Sequence, residues 1–193
     1  MVLKNPTEYE KGKTIVFFVR HGDRGNLDEN DLIRPGPGLT EKGFQQAKDV
    51  ANKFSKIKRE IDAIYSSDMK RAVQTAEIMS KKINKKIKII HDFSEVDRIL
   101  EKGHKISLKY LRAHLKFKRA IKKLDEILDK EKGKVIIIVA HGRIIKSILG
   151  NKLKIGIKKG NAFSYHNCHI SKIRFKGKKL NYINYFNSQE LIH

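Results

Sequence analysis

Cysteine occurs once in the 193 residues, at Cys168, which excludes an intramolecular disulfide and a structural zinc site built from several cysteines. The lone thiol is expected to be reduced and packed. Proline occurs only three times, and the chain has no low-complexity or collagen-like bias that would keep it from folding. The longest uninterrupted apolar stretches are Ile15 to Val19 and Val135 to Ala140, far short of the roughly 20 residues of a membrane-spanning helix. No membrane partner is expected. The segment after Met1 carries neither an apolar leader core nor a lipidation pattern, so the expected location is the cytoplasm. Acidic residues are scarce too, with 21 Asp and Glu against 43 Lys and Arg, a formal charge of +22.

A hydrophobic share of 39% and a charged share of 33% describe a foldable chain of ordinary domain size. The expectation is a single domain over residues 1–193 with its core between about 14 and 186. The positive charge suggests a polyanion partner, because Lys and Arg that neutralise phosphates release counterions. Its distribution is broad, however, with a C-terminal emphasis: from Lys134 onward 12 cations face one acid, Glu190. Lysines outnumber arginines 33 to 10, whereas base reading and bidentate phosphate clamping favour arginine, and no nucleic-acid-binding signature is present. Non-specific polyanion binding is the expectation that remains from charge alone. The Lys- and Ile-rich composition is also of the kind found in hyperthermophile proteins. The sequence leaves the oligomeric state open.

Thr14 to Val19 is a continuous β-branched and aromatic run, the pattern of a strand covered on both faces. Leu32 to Gly38, with Pro35 and Pro37, predicts a loop. A helix is predicted from Thr40 to about Lys56, with Phe44, Ala47, Val50, Ala51 and Phe54 on its apolar side. Ile61 to Tyr65 reads as a strand, and Ser66-Ser67-Asp68 as the N-cap of a helix with Val73, Ala76, Ile78 and Met79 inward. Lys85 to His91 reads as a strand near an edge, given its lysines. A long helix is predicted from Ile106 to about Asp129, with Leu108, Leu111, Leu115, Ile121, Leu124 and Leu128 on one face, and Gly133 ends it. Val135 to Val139 is a second buried strand, followed by a short helix with Ile144, Ile145, Ile148 and Leu149. His169 to Phe175 and Leu180 to Phe186 flank a tight turn at Lys176 to Lys179. This alternation predicts an α/β fold, three layers α/β/α, with a mainly parallel sheet and an antiparallel addition at the end.

In such a sheet ligands bind beyond the carboxyl ends of the strands. Arg20-His21-Gly22-Asp23 follows the first strand, Ser66 to Arg71 follows the second, and His141-Gly142-Arg143 follows the Val135 strand. Two histidines, Arg20 and Arg71 are thus brought to one edge of the sheet. A glycine after each histidine leaves room for a close approach, and a helix opening near Arg71 favours an anion. Cationic donors without an aspartate pair for magnesium point to metal-free phosphoryl transfer, with a neutral imidazole, His21, as nucleophile. No cofactor is expected.

At these residues the chain resembles the histidine phosphatase superfamily, the phosphoglycerate mutase-like family. The resemblance is carried by Val19-Arg20-His21-Gly22, by Leu39-Thr40-Glu41-Lys42-Gly43 with Gln46-Ala47, and by Tyr65-Ser66-Ser67 leading to Arg71-Ala72 and Gln74-Thr75-Ala76. Ala140-His141-Gly142 and Asn167-Cys168-His169-Ile170 complete it, so that it covers about residues 14 to 175. It implies a phosphohistidine intermediate on His21, with Arg20, Arg71 and His141 binding the transferring phosphoryl group. It implies phosphomonoester hydrolysis, with a phosphoglycerate-type mutase or a phosphohistidine-protein phosphatase as the alternative enzyme. Outside enzymes, the alternative is a phosphate- or polyanion-binding module. The substrate would be a small phosphorylated molecule or a phosphoprotein.

The leaving alkoxide needs a proton, best supplied by a carboxylic acid. Glu95, in Phe93-Ser94-Glu95-Val96, stands where the mutase-like branch carries its acid, and Asp23, next to the nucleophile motif, is the alternative acid. Asp97 and Glu101 are less well placed. The stretch Asp23-Arg24-Gly25-Asn26 departs from the mutase pattern, which argues against phosphoglycerate mutase activity, and Arg24 and Arg34 add positive charge suited to a polyanionic substrate. His166, Cys168 and His169 invite a metal reading, but on a strand His169 would point away from the other two, so no metal site is expected. His91, His104 and His114 have no role assigned by the sequence.

Overall fold

The structure is a computed structural model that describes residues 12–25, 35–95, 108–160 and 162–191. Expectations on Asn26, Arg34, Asp97, Glu101, His104 and the start of the long helix at Ile106 lie outside these residues. Among the described residues six strands form one sheet: β1 (Thr14–Arg20), β2 (Ala63–Ser67), β3 (Ile87–Ile90), β4 (Val135–Ala140), β5 (Ile170–Lys176) and β6 (Lys179–Ser188). Their order is β3-β2-β4-β1-β5-β6. The first four of these neighbours run parallel, β5 is antiparallel to β1, and β6 is antiparallel to β5. This is the expected α/β architecture with its antiparallel addition.

Successive side chains of a strand point to opposite faces, and both faces of the central strands are apolar. Ile15, Phe17 and Val19 of β1 join Ile137 and Val139 of β4 in a core with α1 (Glu41–Ser55) and α2 (Lys70–Ile83). Val16 and Phe18 join Ile136 and Ile138 in a second core with α3 (Leu108–Lys130) and α4 (Gly142–Lys152). A short α5 (Ile157–Gly160), not anticipated from the sequence, packs on α4. Because β1 leads to α1 on one face and its neighbour β4 leads to α4 on the other, the chain parts at their carboxyl ends. The register pairs Arg20 with Ala140, so His21 and His141 emerge side by side at the switch point where such sheets bind ligands.

Three local expectations change. The second strand begins two residues later and extends through Ser67, because Ser66 and Ser67 pair with Ile89 and Ile90 of β3. Those serines therefore do not cap α2, whose N-cap is Met69 with no side-chain cap bond. The leucines of α3 also divide: Leu124 and Leu128 are buried with Ala113, Phe117, Ala120 and Ile127, whereas Leu111 and Leu115 are 50% and 43% exposed. At about 100° per residue, Leu111 and Leu124 lie about 220° apart around the helix. Among the described residues no helix is long and apolar enough to cross a membrane.

At the end of the sheet away from the histidines, Glu131 is a buried carboxylate. It accepts hydrogen bonds from Tyr65 Oη at 2.6 Å, Lys88 Nζ at 2.8 Å and Lys134 Nζ at 2.9 Å. Burial pushes its pKa up, but hydrogen bonds from Lys88, Tyr65 and Lys134 outweigh that and bring it from 4.5 down to about 2. A depressed carboxylate stabilises the fold above its unfolded pKa and loses that contribution as pH falls through the folded value. Glu131 is therefore expected to add on the order of 3 kcal/mol at neutral pH. In urea titrations between pH 5 and pH 2, wild-type stability should fall with acid and the Glu131→Gln variant should show a flatter acid limb; parallel curves would remove Glu131 from the acid response.

Candidate active site

His21 follows β1 directly and is 1% exposed. Its backbone is fixed from two sides: the His21 N–H donates to Ala140 O at 3.0 Å, and Asn167 Nδ2 donates to His21 O at 2.9 Å. The ring is fixed as well, since Nδ1 lies 2.7 Å from Gly22 O. A carbonyl oxygen only accepts, so Nδ1 carries the proton and Nε2 presents a lone pair. Arg71 Nε donates to that lone pair at 3.3 Å. Burial, then Arg71 and Arg20, hold the His21 pKa well below its ordinary 6.5, so the ring is neutral at pH 7 and equipped for nucleophilic attack.

Arg71 sits in the first turn of α2, 1% exposed. A buried guanidinium needs fixed acceptors or an anion, and its Nη2 reaches Met69 Sδ at 3.5 Å. Thr75, one turn on, accepts from the Gly22 N–H at 3.1 Å and donates to Arg71 O at 2.8 Å, tying the loop after β1 to the helix that carries the arginine. Arg20 at the end of β1 donates through Nη1 to Tyr165 O at 2.5 Å. Its Nε is buried and meets no hydrogen-bond partner among the described residues.

His141, at the N-cap of α4, is fully buried. Its ring centroid lies 5.0 Å from that of His21. Its Nε2 is 2.8 Å from Ser67 Oγ, and its Nδ1 is 3.9 Å from Glu95 Oε2. Burial, His21, Arg71 and Arg20 hold its pKa well below 6.5. Glu95 follows the short 3₁₀ turn His91–Phe93. The Ser94 hydroxyl donates to Asp68, and the Glu95 N–H points to Met69 Sδ at 3.3 Å. The same Asp68 pairs with His91 at 2.9 Å, which gives that histidine a surface partner.

The structure thus brings together His21, Arg20, Arg71, His141 and Glu95. It sets Asp23 differently: its carboxylate accepts from Thr40 Oγ1 at 2.7 Å and from the Gly25 N–H at 3.2 Å, holding the loop onto the start of α1. Gly22 serves the same junction. A Cβ there would stand 2.5 Å from Gly43 O, and one at Gly43 would stand 2.0 Å from Asp23 O, so these glycines allow two backbones to cross. Gln46 and Gln74 complete the brace by accepting from the Asp23 and Leu39 N–H groups, each at 2.8 Å. Sequence reasoning missed Ser67, Thr75 and Asn167 as supports of the site, although all three stand inside its motifs.

His21, Glu95 and His141 place ligand-type atoms within 4.8 Å of one another. The donor set alone would suit a cation, but Arg71 donates into the His21 lone pair and Arg20, Arg71 and Arg24 add positive charge around both imidazoles. An anion fits these surroundings and a cation does not. His166, Cys168 and His169 lie in the turn before β5 rather than on a strand. Cys168 is buried at φ 54, with its thiol pushed by burial up to about 12, as expected of an inert packed cysteine.

A neutral imidazole whose Nε2 lone pair meets a guanidinium N–H, at the switch point of a mainly parallel sheet, defines a phosphoryl-transfer enzyme of the histidine type. The chain belongs to the histidine phosphatase superfamily, branch 1, whose family model matches residues 16–107 and 114–188, and it is a phosphomonoester hydrolase of that type. It is similar to phosphoglycerate mutase-like protein 4 of Arabidopsis thaliana, 29% identical over 164 residues that cover 69% of this chain and 68% of the relative. A putative phosphoserine phosphatase 2 of Hydrogenobacter thermophilus is 26% identical over 189 residues, 85% of this chain and 91% of the relative. The crystal structure of phosphoserine phosphatase from Entamoeba histolytica in complex with 3-phosphoglyceric acid shares the fold. Its TM-score is 0.68 at 23% identity, over 91% of this chain and 97% of that one.

Proposed function

We propose that this chain hydrolyses phosphomonoesters in two steps through a phosphohistidine on His21 Nε2. The single observation that carries this reading is the 2.7 Å contact of His21 Nδ1 with Gly22 O, which as a carbonyl acceptor calls for the ring proton on Nδ1 and leaves Nε2 facing Arg71 as the nucleophile. Nε2 attacks phosphorus, the ester oxygen leaves, and Glu95 in its protonated form supplies the proton that oxygen takes. Water then gives its proton back to Glu95 and attacks the phosphohistidine, releasing inorganic phosphate. Arg20, Arg71 and His141 bind the charge on the phosphoryl oxygens, work suited to fixed donors. Glu95 is favoured over Asp23 as the acid because Asp23 is engaged by Thr40 and Gly25, whereas Glu95 lies beside His141.

The substrate we propose is a small phosphorylated molecule, in keeping with the phosphoserine phosphatases among the similar proteins. Arg24 and Arg143 add positive charge near Arg20, which also suits a phosphate ester with a further anionic group. The test is hydrolysis of para-nitrophenyl phosphate in excess EDTA, with rapid denaturation to trap the labelled enzyme. Activity that survives EDTA and an acid-labile, base-stable phosphoryl label on the protein are the expected results. Activity abolished by EDTA, or turnover with no such label, would overturn the mechanism.

A further inference from the structure

His141 must present a hydrogen to a phosphoryl oxygen if it is to bind the transferring group, and a neutral imidazole has only one, on either Nδ1 or Nε2. Ser67 decides between them. Its hydroxyl oxygen already accepts from the Met69 N–H at 3.3 Å and lies 2.8 Å from His141 Nε2. Ser67 is fully buried, and His141 Nε2 is the acceptor its own hydroxyl proton can reach among the described residues. The neighbouring Ser66 hydroxyl is spent on Ser67 O at 2.9 Å and offers no alternative.

If Nε2 carried the ring proton, both the Ser67 hydroxyl proton and the His141 Nδ1 lone pair would be buried without partners. If Nδ1 carries it, Ser67 donates to Nε2, and the Nδ1–H alone lacks a partner among the described residues. The second arrangement strands one polar group instead of two, and buried unpaired groups are costly. It also puts the proton on the nitrogen that lies 3.9 Å from Glu95 Oε2. We infer that Ser67 is a positioning residue that fixes His141 as the neutral Nδ1–H tautomer, so that His141 meets the phosphoryl group as an uncharged N–H donor. This rests on the phosphohydrolase reading of the site and adds to it a proton position that the sequence motif does not specify.

The surroundings agree. His141 is faced by Arg20 at the end of β1 and His21 just after it, by Arg24 from the following loop, by Arg71 from α2 and by Glu95 from the segment after β3. Three guanidiniums oppose an imidazolium, whereas an uncharged N–H adds directionality without a further positive charge.

Two measurements test the inference. The first is the 15N spectrum of the wild-type imidazoles at neutral pH, with His141 assigned by comparison with His141→Asn. A pyrrole-type Nδ1 and a pyridine-type Nε2 are expected; a proton on Nε2, or on both nitrogens, would overturn the inference whether or not the enzyme is active. The second is kinetic. Ser67→Ala should lower kcat about 10- to 100-fold, by analogy with the loss when a group that orients a metal-binding histidine is removed, with KM nearly unchanged. Ser67→Thr, which keeps the hydroxyl, should restore most of it. An alanine variant with wild-type kcat would remove Ser67 from this role. Failure to find a phosphoryl label would instead count against the two-step mechanism, leaving the tautomer result to stand or fall by itself.

Discussion

His21→Ala is expected to lower kcat by about four to six orders of magnitude, the loss seen when the nucleophile of a covalent mechanism is removed, while inorganic phosphate continues to bind. The division follows from the geometry. Attack on phosphorus uses the Nε2 lone pair, and the neighbouring histidine cannot replace it, because His141 Nε2 faces Ser67 and leads away from the phosphoryl site. The anion-binding groups stay in place, since Arg71 is anchored in α2 and Arg20 by Tyr165 O. Removing the ring also releases Arg71 Nε for a phosphate oxygen. Affinity for inorganic phosphate, measured by calorimetry, should therefore stay within about tenfold, about 1.4 kcal/mol. A variant that retains more than a hundredth of wild-type kcat would mean that His21 is not the nucleophile.

Arg71→Met is expected to lower kcat/KM by about two to three orders of magnitude, or about 3 to 4 kcal/mol, the scale for a pre-organised donor to transition-state charge. Methionine keeps much of the buried volume but removes the planar fork, and lysine would not restore its two-pronged geometry. A second effect separates this role from packing. Arg71 is the largest charge effect holding the His21 pKa down, after burial itself. Without it that pKa rises, the ring is protonated at higher pH, and the acidic limb of the kcat/KM profile should move to higher pH. A loss of amplitude with an unmoved limb would reduce Arg71 to a structural part.

The residues proposed to carry the reaction were legible because strand ends are legible. Two apolar runs, each followed by His-Gly, place both histidines at the carboxyl edge of the sheet whatever the loops do, and the register of β1 with β4 made them neighbours. Partnerships between distant residues were not legible. Ser67 reads locally as a helix cap, yet it belongs to a strand and bonds a histidine 74 positions away. Asp23 reads as a rival acid because it adjoins the nucleophile, and only the placement of Thr40 shows that α1 has claimed its carboxylate. Leu111 and Leu115 joined the core in a count of spacings, but a one-dimensional count does not carry the rotation of a helix over several turns.

The hydrogen bond from Arg71 Nε to His21 Nε2 gives the resting enzyme a form of chemical discretion. A neutral, buried imidazole lone pair would otherwise be open to acylating and alkylating metabolites small enough to enter the site. Here the electron pair is held by a donor that an uncharged electrophile has little means to draw away. Under the proposed mechanism, the oxygens of a phosphate ester would compete for the guanidinium, so that the anion to be attacked would itself uncover the attacking atom.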